Sequence, residues 1–300
     1  MAQERRVEIV EVGPRDGLQN ESRTLTTAQK AEYAERSHAA GIGRVELTSF
    51  VHPKAVPQMA DAEDVVSAVP AAPGRVRSAL VLNLRGLERA QAAGVEDLNF
   101  VLVASETFSQ RNQRMSVSQT LDEIAAMAAR LADGTVTAAV TIACAFGCPF
   151  EGRVPEERVL DLAHRVAELG IGEISLADTV GVGVPDQAAR LVAGLAHAAP
   201  GVRRRAHLHN TRNTGYANAV AAVEAGVDAL DAATGGIGGC PFAPRATGNI
   251  ATEDLLYLLH GMGVHTGVDL AAVVENAAWL QERLGGGAIP GQLSRAGVWP

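Results

Sequence analysis

Several features are scarce or missing in this sequence, and each absence argues against a class of protein. Lysine occurs only twice in 300 residues and the formal net charge is −8, which argues against a nucleic-acid partner. No apolar run is long enough to cross a bilayer, and residues 1–6 contain no apolar signal core. We therefore expect a cytoplasmic protein with no membrane span and no bound nucleic acid.

Cysteine is also scarce, with only Cys144, Cys148 and Cys240 present. An odd number of cysteines, without any sign of export, favours reduced thiols over a disulfide framework. Cys144 and Cys148 lack the further ligands of a zinc knuckle. We interpret them as a buried thiol and a loop thiol.

What the sequence contains is a regular alternation of short β-branched runs with longer stretches rich in Ala, Leu and Glu. The runs predict eight strands, near residues 7–12, 44–49, 76–82, 97–103, 136–143, 173–176, 205–209 and 227–231. The longer stretches predict helices, among them 26–40, 117–132, 155–169, 185–198, 214–225 and 252–262. Eight such units favour an α/β fold of the (β/α)8 TIM-barrel type.

A doubly wound open sheet is the alternative fold. It usually carries a glycine-rich phosphate turn after its first strand, and Gly13–Gly17 does not match that pattern. We expect one barrel domain over residues 1–268. A C-terminal helix and tail over residues 269–300 would then pack on the barrel.

His207 and His209 stand two residues apart on the seventh predicted strand. Side chains at this spacing point to the same face, so both can bind one metal ion. Asp16 follows strand one, which lies beside strand eight in a closed barrel, and Asn249 follows strand eight. Two nitrogens and two oxygens fit an octahedral Mg²⁺ or Mn²⁺ better than a structural Zn²⁺. The alternative is two barrel-lining histidines that are hydrogen-bonded to carboxylates.

Further reactive side chains fall at the same mouth of the barrel. Arg15 forms a surface ion pair with Asp16 or stabilises an oxyanion on a substrate. Glu46, in strand two, and Asp178, after strand six, either orient other side chains or transfer protons. Cys240 lies in a glycine-rich loop that could close over the site, where it moves a proton or has no role.

Several segments resemble the 3-hydroxy-3-methylglutaryl-CoA lyase family of the metal-dependent lyase and Claisen-condensation barrel superfamily. The resemblance rests mainly on residues 10–21 (VEVGPRDGLQNE), 238–244 (GGCPFAP) and 247–249 (TGN). Shorter matches extend it over nearly the whole chain, up to about Gly267. The arginine–aspartate pair is shared by the superfamily, whereas the Cys-Pro loop is much more specific to the lyases.

The resemblance implies a retro-Claisen cleavage of 3-hydroxy-3-methylglutaryl-CoA to acetyl-CoA and acetoacetate. It implies a divalent cofactor, Mg²⁺ or Mn²⁺, held by four residues: Asp16, His207, His209 and Asn249. It implies that Arg15 polarises the thioester carbonyl and that Cys240 protonates the departing carbanion. We also expect an acyl-CoA thioester as the small-molecule partner and a homo-oligomer, either a dimer or a tetramer.

One segment departs from the family pattern. The lyases usually read His-Asp-Thr-Tyr-Gly at the second histidine, whereas this chain reads HNTRN over residues 209–213. Arg212 either binds a substrate carboxylate or points to solvent, and we expect Gln19 to contact the substrate. The departure leaves a different 3-hydroxyacyl-CoA as an alternative substrate. A condensing synthase and a metal-binding barrel without catalysis are weaker alternatives.

Overall fold

The eight predicted strands form a closed parallel barrel. The computed structural model describes residues 5–132, 134–239, 248–287 and 289–297. The strands, numbered β1 to β8, are Glu8–Glu11, Arg44–Ser49, Val76–Val81, Asp97–Val103, Thr137–Ala143, Glu173–Ala177, Arg203–His207 and Ala229–Ala232. Each strand pairs in parallel with the next, and β8 pairs with β1. This topology confirms the TIM-barrel prediction.

Helices surround the barrel. Within the described residues, helices α1 to α11 are Thr27–Ala39, Ala62–Ala68, Leu84–Ala92, Glu106–Gln113, Val117–Arg130, Glu156–Glu168, Pro185–Ala198, Gly215–Glu224, Thr252–Gly261, Leu270–Arg283 and Leu293–Ala296. Helix α7 begins at Pro185, where a missing backbone N–H costs nothing because the first turn has no partner for it. Helix α1 begins with a capping box, in which Thr26 and Gln29 bond each other's backbone N–H groups.

The predicted boundaries of β7 were wrong by two residues. The strand runs from Arg203 to His207, not from 205 to 209. The start of β7 was not predicted as strand because Arg203 and Arg204 are charged, as is typical of loops. In the structure they pair with Glu8 and Asp228 at the end of the barrel. His209 lies beyond the barrel ladder, where it forms an isolated bridge with Asn249.

The C-terminal segment lies against helix α1 and against the first turns of α9. The ring of Trp279, on α10, is 6.3 Å from that of Tyr33, on α1. Asp254 accepts the backbone N–H groups of Gln292 and Leu293, at 2.8 and 2.7 Å, and so anchors the start of α11. The division of the chain at residue 268 stays a prediction.

Both cysteines in the described residues are buried. Cys144 directly follows β5, as expected of a buried thiol, and is 0% exposed. Cys148 lies in the following loop but is only 5% exposed, and its Sγ lies 2.9 Å from Ser105 Oγ. The described helices include none that is long and apolar enough to cross a membrane.

Candidate active site

A cavity of about 430 Å³ opens at the C-terminal ends of the strands. Reactive groups collect at this end of a TIM barrel because the eight strand–helix loops meet there. The polar residues that line the cavity are Arg15, Asp16, Gln19, Asn20, Gln58, Asn99, Asn112, Thr141, Thr179, His207, His209 and Asp231. The wall is otherwise apolar, with Val51, Leu80 and Phe108 among its residues.

Three of the predicted ligands converge at one point of this cavity. The Nε2 atoms of His207 and His209 lie 3.1 Å apart, and Asp16 Oδ2 is 3.8 Å from His207 Nε2. One ligand atom from each residue falls within 4.8 Å of the other two. Asp16 reaches this position because a π-helical turn, Gly13–Gly17, follows β1 directly.

The charge states around these residues suit a cation. Burial raises the pKa of Asp16, but the charges of Arg15 and the two histidines outweigh this and lower it to about 2. Burial and the neighbouring His207 lower the pKa of His209 to about 4. At neutral pH the carboxylate is therefore ionised and the His209 imidazole is neutral, which are the forms that ligate metals.

The donor set fits a divalent ion. Two imidazole nitrogens facing each other at 3.1 Å need a proton or a cation between them. Adjacent ligands of an octahedral ion lie ~3 Å apart when each bond is about 2.1 Å long. The second ring nitrogen of His207 faces Asp231 Oδ2 at 3.0 Å, the carboxylate–histidine arrangement that accompanies ligating histidines.

Asn249 lies beside this cluster. Its amide nitrogen donates to Asp16 Oδ2 at 2.9 Å and to the Ile237 carbonyl at 3.1 Å. In this orientation Asn249 contacts the cluster through Asp16. A direct bond from its amide oxygen to a metal stays a prediction.

Arg15 does form an ion pair with Asp16, but the pair is largely buried and not at the surface. Arg15 is 8% exposed, and its Nε and Nη2 donate to Glu46 Oε2 at 3.1 and 2.8 Å. Its Nη1 donates to Asp16 Oδ1 at 2.6 Å. A guanidinium has five N–H donors, so two remain available to other acceptors.

The other carboxylate oxygen of Glu46 is held by a residue of strand β4. Glu46 Oε1 accepts from Asn99 Nδ2 at 3.2 Å, and the Asn99 Oδ1 in turn accepts from the Thr141 hydroxyl at 2.8 Å. Burial is complete at Glu46, with 0% exposure. Both of its oxygens are engaged, which favours the orienting role over proton transfer.

Asp178 shapes the loop between β6 and α7. Its two oxygens accept the backbone N–H groups of Val182 and Gly183, both at 2.9 Å. The described cavity lining includes its neighbour Thr179 but not Asp178 itself. Burial raises the pKa of Asp178, although these two hydrogen bonds oppose the rise. The contacts are those of an orienting carboxylate.

Of the three remaining predicted site residues, one lines the cavity, one does not, and one lies outside the described residues. Gln19 lines the cavity. Arg212 does not, because its Nη1 donates to the carbonyls of Val180 and Gly181, at 3.0 and 2.8 Å, on the outside of the β6–α7 loop. Cys240 lies outside the described residues, so its role as a lid thiol stays a prediction.

Sequence reasoning missed several cavity-lining residues, and two of them contact predicted site residues. Asp231, on β8, and Asn99, on β4, are polar side chains that point into the barrel and contact His207 and Glu46. The available signal was the alternation of each strand, since a polar residue at an inward position of a parallel barrel strand is unusual.

Comparison with known proteins identifies the family of this chain. The HMGL-like family model matches residues 6–279. The fold and site define a carbon–carbon lyase, and the chain belongs to the HMGL-like family.

Individual relatives match over nearly their full length. A (R)-citramalyl-CoA lyase of Chloroflexus aurantiacus is 45% identical, with 98% of this chain and 96% of that protein covered. The hydroxymethylglutaryl-CoA lyase of Pseudomonas mevalonii is 40% identical, with 97% and 96% covered. A solved HMG-CoA lyase from Acinetobacter baumannii, in complex with coenzyme A and 3-methylmalate, superposes with a TM-score of 0.95 at 38% identity, covering 100% and 99% of the chains.

Proposed function

We propose that this enzyme cleaves the acyl-CoA thioester of a tertiary 3-hydroxy acid by a divalent-metal-dependent retro-Claisen reaction. The observation that carries the proposal is the convergence of Asp16, His207 and His209 on one point, with Arg15 held beside them. Such a constellation pairs a cation site with a fixed positive donor, which together suit a substrate that develops negative charge on two oxygens.

Atoms and electrons balance in this reaction. The tertiary hydroxyl gives its proton to a base and its oxygen becomes the carbonyl of an oxo acid, and this proton is balanced overall by the one added later at C2. The electron pair of the C2–C3 bond passes to the thioester as an enolate, and a proton then adds at C2 to give acetyl-CoA. A cation held by Asp16, His207 and His209, with Asn249 beside them, would favour loss of the hydroxyl proton.

Arg15 is the residue suited to the enolate. Its two unengaged N–H bonds can donate to the thioester oxygen as negative charge develops there. Glu46 and Asp16 already fix the guanidinium, so little reorganisation accompanies the reaction. We assign the final proton transfer at C2 to Cys240, on the sequence resemblance alone.

Two substrates of this class are candidates. The opening motif and the relatives named hydroxymethylglutaryl-CoA lyase favour 3-hydroxy-3-methylglutaryl-CoA, which would give acetoacetate. The 45% identity to a (R)-citramalyl-CoA lyase favours citramalyl-CoA as the second candidate, which would give pyruvate. Both present a tertiary hydroxyl, a methyl group and a carboxylate, so the same cation and Arg15 contacts serve either one.

A substrate panel tests the proposal. Purified enzyme is stripped with EDTA, reloaded with Mg²⁺ or Mn²⁺, and assayed with both thioesters while acetyl-CoA, acetoacetate and pyruvate are quantified. We expect acetyl-CoA release that needs added metal, and the substrate with the higher kcat/KM is assigned as the preferred one. Full activity after metal removal, or no cleavage of either thioester, would contradict the proposal.

A further inference from the structure

The candidate metal ligand His207 is the end of a buried chain of charged groups inside the barrel. Asp231 lies directly across from His207 in the β7–β8 register. Its Oδ2 faces His207 Nδ1 at 3.0 Å, and its Oδ1 accepts a hydrogen bond from Arg205 Nε. Asp231 and Arg205 are 3% and 1% exposed, so this contact is shielded from water.

The position of Arg205 follows from the strand itself. It stands two residues before His207 on β7, so both side chains point into the barrel. Arginine has donors only and stays charged, so the buried Nε–H of Arg205 requires an acceptor, which is Asp231 Oδ1, while Nη1 approaches Glu173 Oε1 at 3.4 Å. One carboxylate oxygen is therefore committed to Arg205, and the other is left to accept from His207.

We propose that Asp231, held by Arg205, is a positioning residue that keeps the proton of neutral His207 on Nδ1. A neutral imidazole carries one proton, and a carboxylate oxygen can only accept. With the proton on Nδ1, the Nε2 lone pair points at His209 and Asp16. A proton on Nε2 would instead occupy the point where a cation is expected, and the metal arm of this inference rests on the proposed function.

Asp231→Asn is the substitution that tests the idea most directly. Because Arg205 needs an acceptor, the amide oxygen of the new side chain would have to face it, and the amide NH2 group would then face His207 Nδ1. That group donates, which forces the His207 proton onto Nε2. The side-chain volume is nearly unchanged, so the substitution reverses the tautomer without opening a cavity.

The first measurement reads the tautomer without any metal. The imidazole nitrogens of ¹⁵N-labelled protein are recorded by long-range ¹H–¹⁵N NMR well above the pKa of an ordinary histidine, at about pH 9.5, with His207 assigned from a His207→Gln variant. We expect protonated Nδ1 in the wild type and protonated Nε2 in D231N. A wild-type enzyme with its proton on Nε2 would overturn the inference, whether or not any variant folds.

The second measurement is the affinity for Mn²⁺ by isothermal titration. We expect D231N to bind about 10- to 100-fold more weakly, as is typical when the hydrogen-bond partner of a ligating histidine is lost. Wild-type affinity in D231N would overturn the inference. A wild-type enzyme that binds no Mn²⁺ would contradict the proposed function instead, while the NMR result still decides the tautomer.

Asp97→Asn is a matched control. Asp97 is also a buried barrel carboxylate, at 3% exposure, but it accepts from Ser78 and Thr137 at 2.7 and 2.6 Å. We expect D97N to keep both the tautomer and the Mn²⁺ affinity. Adding Arg205→Met to D231N frees the amide to rotate and accept from His207, so the double variant should recover several-fold in affinity; no recovery would show that Arg205 does not direct Asp231.

Discussion

At the N-terminal ends of the strands, Arg44 donates to Glu173 at 2.8 and 2.9 Å, and Arg203 and Arg205 approach the same carboxylate at 3.4 Å. At the C-terminal ends, two histidine nitrogens face each other at 3.1 Å beside Asp16. Both groups lie in one barrel and are mostly buried, although Arg203 is exposed and Asp16 is partly exposed. The group at the N-terminal ends consists of opposite charges that pair with each other. The group at the C-terminal ends consists of candidate ligand atoms that converge on one point.

The difference separates stability from function within a single fold. The paired charges at the N-terminal ends find their carboxylate partners within the barrel, although Arg205 Nη2 has no hydrogen-bond partner among the described residues. The lone pairs that converge in the cavity need a proton or a cation between them. Substitutions at the two ends should therefore have opposite signatures, one in unfolding and the other in catalysis and metal affinity.

Asp16→Asn should have the largest effect. It removes the anionic member of the candidate metal site, and several kcal/mol of transition-state stabilisation correspond to a loss of at least ~10³-fold in kcat. Steady-state kinetics and Mn²⁺ titration check this, with Asp228→Asn, at the other end of the barrel, as the control. An Asp16→Asn enzyme with wild-type kcat would remove the cavity cluster from the mechanism.

Glu46→Gln should lower kcat by about 10²- to 10³-fold, the usual cost of disturbing a group that stabilises an oxyanion. The amide cannot hold the Arg15 guanidinium as an ionised carboxylate does. Mn²⁺ affinity should stay within about threefold, because Glu46 contacts Arg15 rather than the ligands. A parallel loss of metal affinity would indicate that Glu46 acts on the cation site instead.

Glu173→Gln should leave kcat/KM unchanged at room temperature but lower the free energy of unfolding by about 3–5 kcal/mol, because it removes the charge of a buried carboxylate that three arginines share. Burial raises the pKa of Glu173, but the surrounding arginines outweigh it and lower that pKa. Urea denaturation gives the stability. If this variant lost activity while staying folded and stable, the division between the two ends would be incorrect.

Glu253 is a buried carboxyl whose pKa is shifted in the opposite direction to that of Glu173. It accepts hydrogen bonds from the Gly235 N–H and the Ser294 hydroxyl. Burial raises its pKa from 4.5 to about 7. Its contribution to stability is therefore fully present below pH 4.5 and is lost as the pH rises through 7, by about 3 kcal/mol in all. Glu253→Gln should remove this decline.

Urea titrations at about pH 5 and about pH 8.5, on either side of the raised pKa, check the prediction for Glu253. We expect the free energy of unfolding of Glu253→Gln, taken relative to that of the wild type, to be about 3 kcal/mol more favourable to the variant at the higher pH than at the lower pH. A difference between the two proteins that does not change with pH would mean that Glu253 titrates normally.

Arg212→Ala should have the smallest effect. Its hydrogen bonds to the Val180 and Gly181 carbonyls lie at an exposed position, so we expect a loss of about 1 kcal/mol in stability and less than about fivefold in kcat/KM. The order of substrates in the thioester panel should not change. A loss of ~10²-fold for one thioester only would restore Arg212 as a substrate-binding residue.

The fold and the centre of the site could be predicted because both follow from periodicity. Alternating strand and helix patterns placed all eight strands, with β7 displaced by two residues, and the His207–His209 spacing brought the two side chains together although His209 lies beyond the end of β7. Asp16 followed from barrel closure alone. These inferences need only the geometry of a strand and the topology of a closed sheet.

Partner choice could not be predicted in the same way. Asp231 contacts both Arg205 and His207, and Arg15 binds Glu46. These contacts could not be predicted because each joins segments that are far apart in the sequence. Several arginines and carboxylates compete for the same partners, and only the register of the finished barrel decides among them. The role of Arg212 depends in turn on the path of a neighbouring loop.

The pairing of β1 with β8 has a consequence for how the protein folds. Glu11 pairs with Ala232, at the far end of the barrel sequence, and Asp16 and His207 come from opposite sides of that seam. Contacts so distant in sequence form late, because the chain must first give up the entropy of a very long loop. We therefore expect the cluster of Asp16, His207 and His209 to form only when the β1–β8 pairing is complete, and the Mn²⁺ affinity that the proposed function requires should appear at that stage of refolding.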